Sequence, residues 1–222
     1  MLNLRKMSEK KVRITITLPK EMLEAIDRRI DRVFLKNRSH AIECLLAQAI
    51  GFQIIQQAVI LIGGKEVEKK IAVLADILQT LKKTETKNLL IITGQTDPQL
   101  NQKLEAYSFS GFFARFASSD QGSAGALREH RHFITSAAPF YVFNTSVFPK
   151  KLDLEKLAKF HYKMGRIATV YKADQKENEI YIFEPEILRY IPAKNFALLE
   201  KHVLPELFKN KLAISFPENG KI

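Results

Sequence analysis

Residues Val12–Leu18 alternate strictly between apolar and polar side chains, and Pro19 follows at once. The alternation predicts a β-strand with one apolar face. The proline ends this strand because it cannot donate to a ladder and suits the first turn of a helix. Apolar residues at helical spacing then predict a helix over about 20–33, a turn, and a second helix that Asn37 or Ser39 caps.

A strand, a helix, a turn and a helix within about 40 residues cannot bury a core, and a lone strand leaves both edges unpaired. Pairing with the same strand of a second copy solves both problems, so the sequence predicts an obligate homodimer. The polar face of the resulting ribbon carries Arg13, Thr15 and Thr17 of each chain. Such a ribbon fits the major groove of B-DNA, where arginine pairs with guanine and threonine contacts base edges.

The start of the predicted second helix is suited to hold a DNA phosphate. Free backbone N–H groups and the helix dipole favour an anion at this position. The residues that we expect to make this contact are Asn37, Arg38 and Ser39.

The segment Lys11–Pro19, followed by Asn-Arg-Ser-His-Ala-Ile at 37–42, resembles the ribbon-helix-helix family of DNA-binding proteins. Bacterial and archaeal repressors and antitoxins of that family read operators with the outward residues of the strand. The resemblance covers about residues 10–50 and implies a sequence-specific regulator. In the alternative interpretation, the strand only caps the next domain and its polar residues are merely solvated.

Charge favours the same class of partner. The chain of 222 residues has 35 Lys and Arg against 24 Asp and Glu, and its first 50 residues have 11 against 6. A basic excess concentrated there indicates a polyanionic partner, DNA. The sequence shows no apolar run of membrane-spanning length and no secretory leader, and a single cysteine, Cys44, excludes an internal disulfide framework. We therefore expect a cytoplasmic protein that does not bind membranes.

Beyond residue 52, apolar strand-like runs alternate with amphipathic helical patterns, which is typical of an α/β layer structure. Gly51 closes the second helical pattern, as a helix-terminating glycine does. The sequence therefore predicts two domains, a DNA-binding and dimerisation module over 1–52 and an α/β domain over 53–222.

The second domain is similar to the sugar-phosphate nucleotidyltransferases, which join a nucleoside triphosphate to a sugar phosphate. Four segments carry the resemblance in the family's order: Ala58–Leu61, Gly122–Leu127, Phe140–Val147 and Ile180–Leu188. It implies a truncated Rossmann-like fold and nucleotide- or sugar-binding positions at Gly63, Gly64, Gly122, Ser123 and Gly125. Gly122–Gly125 has an alternative interpretation as a tight turn that needs glycine flexibility.

The chain departs from that family where the chemistry is done. About twenty residues that would wrap the triphosphate are missing after Gly64, and Lys65–Lys70 follows directly. Ser146 stands where the resemblance implies a metal-binding Asp, and a second such Asp is not found before Ile222. We therefore expect no catalytic residue, no metal and no cofactor.

The hypothesis that follows is a dimeric, or higher oligomeric, DNA-binding transcriptional regulator. Its second domain would be a catalytically degenerate sensor or assembly body, with a nucleotide or nucleotide-sugar as its effector. One alternative is a nucleotidyltransferase-type enzyme that uses the first module only for dimerisation, and another is a scaffold without either ligand. Phe109–Phe116 is interpreted as a core strand or a subunit contact rather than a base-stacking surface.

Overall fold

The chain divides into two compact units, Met1–Ile42 and Glu43–Ile222. The computed structural model describes residues 13–30, 37–49, 55–63, 67–94, 103–104, 107–134, 138–144, 146–149, 152–172, 179–193 and 196–217. In these ranges, no helix combines the length and the apolar character that crossing a membrane requires.

Two helices follow the N-terminal strand segment. Helix α1 (Lys20–Asp27) begins directly after Pro19, and helix α2 spans Arg38–Ala49. The prediction of a first helix over 20–33 is wrong in its end, since α1 stops at Asp27. From Arg29 the hydrogen bonds span three residues instead of four, since its N–H donates to the carbonyl oxygen of Ile26. Residues 31–36, which hold most of the predicted turn, lie outside the described residues.

Among the described residues, the predicted strand pairs with no other strand of the same chain. Residues 13–19 are assigned to neither a helix nor a strand. Ile14 and Ile16, which belong to the apolar face, have 68% and 46% of their surface exposed. A ladder needs a second strand, and the predicted ribbon takes that strand from another copy of the chain.

The second unit contains a seven-stranded mixed sheet in the order β3-β2-β1-β4-β6-β5-β7. Strand β6 runs antiparallel to both of its neighbours, and the other pairings are parallel. The strands are β1 (Gln57–Ile62), β2 (Asn88–Thr93), β3 (Phe113–Ser118), β4 (Phe140–Asn144), β5 (Ala168–Lys172), β6 (Glu179–Phe183) and β7 (Ala213–Ser215).

Helices connect the strands, as the predicted α/β alternation requires. They are α3 (Val67–Ala72), α4 (Leu74–Leu81), α5 (Gly122–Glu129), α6 (Leu154–Met164) and α7 (Leu204–Lys209). Two 3₁₀ segments, Arg131–Phe133 and Pro185–Tyr190, and a π-helical turn, Leu199–Val203, complete the described elements. The carboxylate of Asp153 caps α6 by accepting the N–H groups of Glu155 and Lys156.

The core lies around the central strands. Strand β1 is buried at all six positions, and Gln57 lies level with Asn88 of β2 and Phe140 of β4. A strand that is buried on both faces has a nearly continuous apolar sequence, as β1 does. The predicted α/β layer structure is confirmed by this sheet and the helices that connect its strands. The amphipathic helix α4 buries four residues against this sheet, Leu74, Ile77, Leu78 and Leu81.

Strand β3 lies at the edge of the sheet, and two of its aromatic residues are exposed. Phe113 has 70% and Phe116 has 54% of its surface exposed. The interpretation of Phe109–Phe116 as a core strand is therefore wrong for Phe113 and Phe116, while Phe109 and Phe112 pack against the core in part. The interpretation as a subunit contact stays a prediction.

Candidate functional site

The predicted base-reading residues lie on an accessible segment. Arg13, Thr15 and Thr17 are all exposed, and the intervening Ile14 and Ile16 are exposed as well. The polar side chains are therefore free of the core, and the apolar ones are available to pack against a second ribbon strand.

Arg38 has a partner within its own unit. Its Nε and Nη2 donate to Oδ1 and Oδ2 of Asp27 at 2.8 and 2.6 Å, a two-point contact between the end of α1 and the start of α2. These hydrogen bonds hold the pKa of the Asp27 carboxyl below its usual range. Sequence reasoning missed this partner and predicted only a phosphate contact for Arg38.

The start of α2 has the predicted form. The helix begins at Arg38, and the N–H of Ala41 donates to the carbonyl oxygen of Asn37 at 3.0 Å. This places Asn37 at the capping position, and Ser39 lies exposed in the first turn. The first-turn N–H groups of this twelve-residue helix therefore lie beside an exposed polar surface.

A second candidate site lies where β1, β2 and β4 end. The carboxyl ends of parallel strands meet at one edge of a sheet, which is where α/β domains bind ligands. Gly63 and Gly94 follow β1 and β2 there, and a Cβ added to Gly63 would lie 3.8 Å from the nitrogen of Gly94. Antiparallel β6 begins at the same edge, with Glu179 level with Asn144. Gly64 lies outside the described residues.

Lys70 of α3 reaches into this edge. Its Nζ donates to the carbonyl oxygen of Gly63 at 3.1 Å and to Oδ1 of Asn144 at 2.8 Å. The amide Nδ2 of Asn144 in turn donates to Oε1 of Glu200 at 2.9 Å. Asn144 therefore links an ammonium group to a carboxylate.

Tyr181 and Glu179 extend the network. The Tyr181 hydroxyl lies 2.9 Å from Oε1 of Glu200 and also bonds to Glu179, which pairs with Lys172 at 3.0 Å. Burial and the two carboxylates raise the pKa of Tyr181 well above its usual value, so its hydroxyl stays a donor. We call these six residues the edge cluster: Lys70, Asn144, Lys172, Glu179, Tyr181 and Glu200. Its two ammonium groups balance its two carboxylates.

The predicted binding loop at Gly122–Gly125 is bonded to the chain itself. The N–H groups of Ala124 and Gly125 donate to the carbonyl oxygen of Ala197 at 2.9 and 3.1 Å. The hydroxyl of Ser123 accepts the N–H of Leu199 at 2.9 Å. Gly122 has a φ of 75°, and a Cβ there would lie 2.6 Å from the Ala197 oxygen. Glycine is required at this position by both the backbone conformation and the close approach.

The edge cluster does not fit the Mg²⁺ ion that the resemblance implies. Magnesium prefers several charged or neutral oxygen ligands at short range. Here Asn144 Oδ1 already accepts from an ammonium group, and both carboxylates bond to Tyr181. In the described part of the chain, no three His, Cys, Asp or Glu side chains come close enough to share a metal ion. Ser146 is buried directly after β4, where a metal-binding Asp was implied.

Sequence reasoning missed Lys70, Glu200 and Tyr181 as members of one cluster. Lys70 was noted only as part of the charged run that replaces the phosphate-wrapping loop. No local signal joins Lys70 to Asn144, which is 74 positions away, or Asn144 to Glu200, which is 56 positions away.

Comparison with known families identifies the N-terminal module. Residues 12–51 match the family model described as ribbon-helix-helix protein, copG family. These residues are a ribbon-helix-helix module. The resemblance stated from Lys11–Pro19 and 37–42 is thereby confirmed, and the module supports DNA binding, since this family binds DNA and is typically dimeric.

Solved structures resemble the remainder of the chain in fold. HddC from Yersinia pseudotuberculosis is 14% identical with a TM-score of 0.57, covering 73% of this chain and 90% of its own. A provisionally named glucose-1-phosphate thymidylyltransferase from Bacillus anthracis is 14% identical with a TM-score of 0.54 over 72% and 85%. The 4-diphosphocytidyl-2C-methyl-D-erythritol synthase from Anaerococcus prevotii is 13% identical with a TM-score of 0.51 over 79% and 92%. At these identities the likeness shows the nucleotidyltransferase-like fold alone, and no curated protein sequence matches the chain.

Proposed function

We propose that this protein is a dimeric, sequence-specific DNA-binding transcriptional regulator whose second domain is a catalytically degenerate nucleotidyltransferase-like sensor or assembly body. The match of residues 12–51 to the ribbon-helix-helix family is the observation that carries the proposal. We place the end of the module at residue 52, one position beyond that match, and the second domain at 53–222.

The ribbon surface supports the DNA-binding part of the proposal. Ile14 and Ile16, on the apolar face of the predicted strand, are exposed within one chain, and a second copy of the chain would cover them. Pairing the strands leaves Arg13, Thr15 and Thr17 of both copies on the opposite face. Two copies related by a two-fold axis call for a palindromic or repeated operator.

The start of α2 supports the phosphate contacts proposed for Asn37, Arg38 and Ser39. Because Nε and Nη2 of Arg38 already donate hydrogen bonds to Asp27, the main role that we propose for Arg38 is to hold the start of α2 in place. Backbone N–H groups of the first turn, beside exposed Ser39, would then meet the phosphate.

The edge cluster supports catalytic degeneracy. Phosphoryl transfer depends on neutralising the charge of the phosphates with cations held by acidic ligands. The carboxylates at this edge instead neutralise the chain's own Lys70 and Lys172, through Asn144 in the first case. A nucleotide or nucleotide-sugar effector, if bound, would use Gly63, Gly64 and the Gly122–Gly125 loop for recognition without turnover.

The deciding experiment compares the operators selected by the wild type and by Arg13→Ala from a randomised DNA pool. The variant should lose about 1–3 kcal/mol per specific base contact and relax its preference at that base pair. Non-specific binding should fall less, because lysines and helix ends still meet phosphates. Arg131→Ala is the matched control, since it removes the same charge from an exposed position of the other unit.

Unchanged operator selection by Arg13→Ala would overturn the base-reading role of the strand. The degeneracy has its own test, in which the purified protein is incubated with nucleoside triphosphates, sugar 1-phosphates and magnesium. Pyrophosphate release at an ordinary enzymatic rate would establish the alternative, an enzyme that uses the N-terminal module only to dimerise.

A further inference from the structure

The two edges of the sheet differ in how open they are to pairing. Strand β7 has three residues, and a strand this short offers little to a partner. Strand β3 has six, Phe-Ala-Arg-Phe-Ala-Ser, with no proline and a single charge. Natural edge strands are normally blunted by charges, prolines or bulges, and β3 has one of these devices, Arg115.

The hydrogen bonds of β3 fix which of its residues face outward. The N–H groups of Phe113 and Ser119 donate to carbonyls of the β2 side, Lys87 and Thr93, at 2.7 and 2.8 Å. Backbone groups alternate in direction along a strand. The odd-numbered residues therefore bond to β2, and the even-numbered residues Ala114, Phe116 and Ser118 present their N–H and C=O groups to the outer edge.

We propose that β3 pairs antiparallel with β3 of a second copy of this chain, with Phe116 facing Phe116 of that copy across a two-fold axis. Two residues that face each other in an antiparallel pair must both direct their backbone N–H and C=O groups towards the partner strand, or both away from it. Centring the axis on Phe116 meets this condition. It places Ala114 opposite Ser118 and Arg115 opposite Ala117, so no like charges meet.

The neighbouring registers are worse. Moving the axis to Arg115 puts two guanidinium groups directly opposite each other, which is repulsive. Moving it to Ala117 places Phe116 opposite a serine and forfeits the aromatic pair. The Phe116 ring is already set by Phe109, whose ring centroid lies 5.4 Å away in an edge-to-face contact. His130, whose Nε2 lies 3.3 Å from the Ser118 carbonyl, limits the hydrogen bonds that Ser118 can add at the end of the ladder.

We expect the partner of β3 to be a second copy of this chain, because the proposed ribbon dimer already brings two copies together. Here the inference rests on the proposed function, because a ribbon dimer tethers two α/β domains and raises their mutual effective concentration. A two-fold contact also needs only one self-complementary surface, which the Phe116-centred register provides.

The test is disulfide formation in the full chain, in a Cys44→Ser background, with Phe116→Cys. In the proposed pair the two Cα atoms at this position lie about 5.5 Å apart, within the range that a disulfide spans. Phe196→Cys is the matched control, because Phe196 is 55% exposed and Phe116 is 54% exposed. Under mild oxidation, Phe116→Cys should form covalent dimers at least about tenfold faster than the control.

Equal rates for the two cysteine variants, with normal operator binding, would overturn the β3 contact and leave the proposed function standing. Fast cross-linking of Phe116→Cys without operator binding would support the β3 contact and overturn the proposed function. A second variant, Phe116→Glu, should weaken association of the full chain at least about tenfold in sedimentation, since it places two carboxylates on the axis. Phe196→Glu should leave association unchanged, and an equal effect of both variants would also refute the contact.

Discussion

Replacing Gly122 by alanine tests what the loop before α5 is for. With a φ of 75°, the residue lies in a region that side-chain-bearing residues rarely adopt. The new Cβ would also lie 2.6 Å from the Ala197 oxygen, closer than real contacts allow. Ala197 must then move, and its oxygen holds the N–H groups of Ala124 and Gly125.

The expected cost follows from these two effects. The left-handed conformation costs a non-glycine residue roughly 1–2 kcal/mol. Weakening the hydrogen bonds from Ala124 and Gly125 costs roughly 0.5–1.5 kcal/mol each. Gly122→Ala should therefore lower the free energy of unfolding of the second unit by about 2–5 kcal/mol.

Gly165→Ala is the matched control. Gly165 ends α6 with a φ of 57°, and a Cβ added there meets no atom within 4 Å. Its replacement should cost only the conformational strain, roughly 1–2 kcal/mol. The difference between the two variants isolates the close approach to Ala197.

The measurement is urea unfolding of the full chain, followed by far-UV circular dichroism and by tyrosine fluorescence, since the sequence has no tryptophan. Equal destabilisation by Gly122→Ala and Gly165→Ala would refute the reasoning, because the loop would then tolerate a side chain. The backbone conformation would then be the one remaining structural reason for the glycine.

Two further predictions concern the N-terminal unit. Ile16→Pro removes a ladder donor and fixes an unsuitable φ, so the variant should sediment as a monomer and lose operator affinity; a dimer with unchanged affinity would show that the ribbon is not the interface. The pKa of Asp27 is lowered by Arg38, so the α1–α2 contact should be complete above the carboxyl's ordinary value of about 4 and be lost as the pH falls through its lower folded value. Amide NMR signals of α1 and α2 should follow that titration, and Asp27→Asn should abolish it; an unchanged titration in the variant would assign it to another group.

The order of the elements could be predicted from the sequence because it depends on local patterns. The buried runs of β1 and β2, the span of β4 and the cap and end of α6 all show in composition and spacing. The end of α1 could not be predicted, since apolar spacing continues to Val33 while the backbone turns after Asp27. The exposure of β3 was missed for a similar reason, because an apolar run does not reveal whether its strand lies in the centre or at the edge.

The two candidate sites differ in the same way, since one depends on a local pattern and the other on contacts between distant parts of the chain. Arg13, Thr15 and Thr17 share a strand face, and a period of two shows that without any tertiary information. The edge cluster instead joins α3, β4, β5, β6 and the π-helical turn, whose meeting depends on the strand order. No spacing rule connects Lys70 to Glu200.

The short connection between β1 and α3 explains the position of Lys70. Only residues 63–66 separate β1 from α3, so the helix starts close to the strand end. A lysine in the last turn of so short a helix can reach back to the Gly63 carbonyl. Its ammonium group bonds to Asn144, which in turn bonds to the Glu200 carboxylate, so both charges are engaged within the chain. Under the proposed degeneracy, a new carboxylate at position 146 would therefore not be enough for catalysis, because Lys70 would still hold the end of β4.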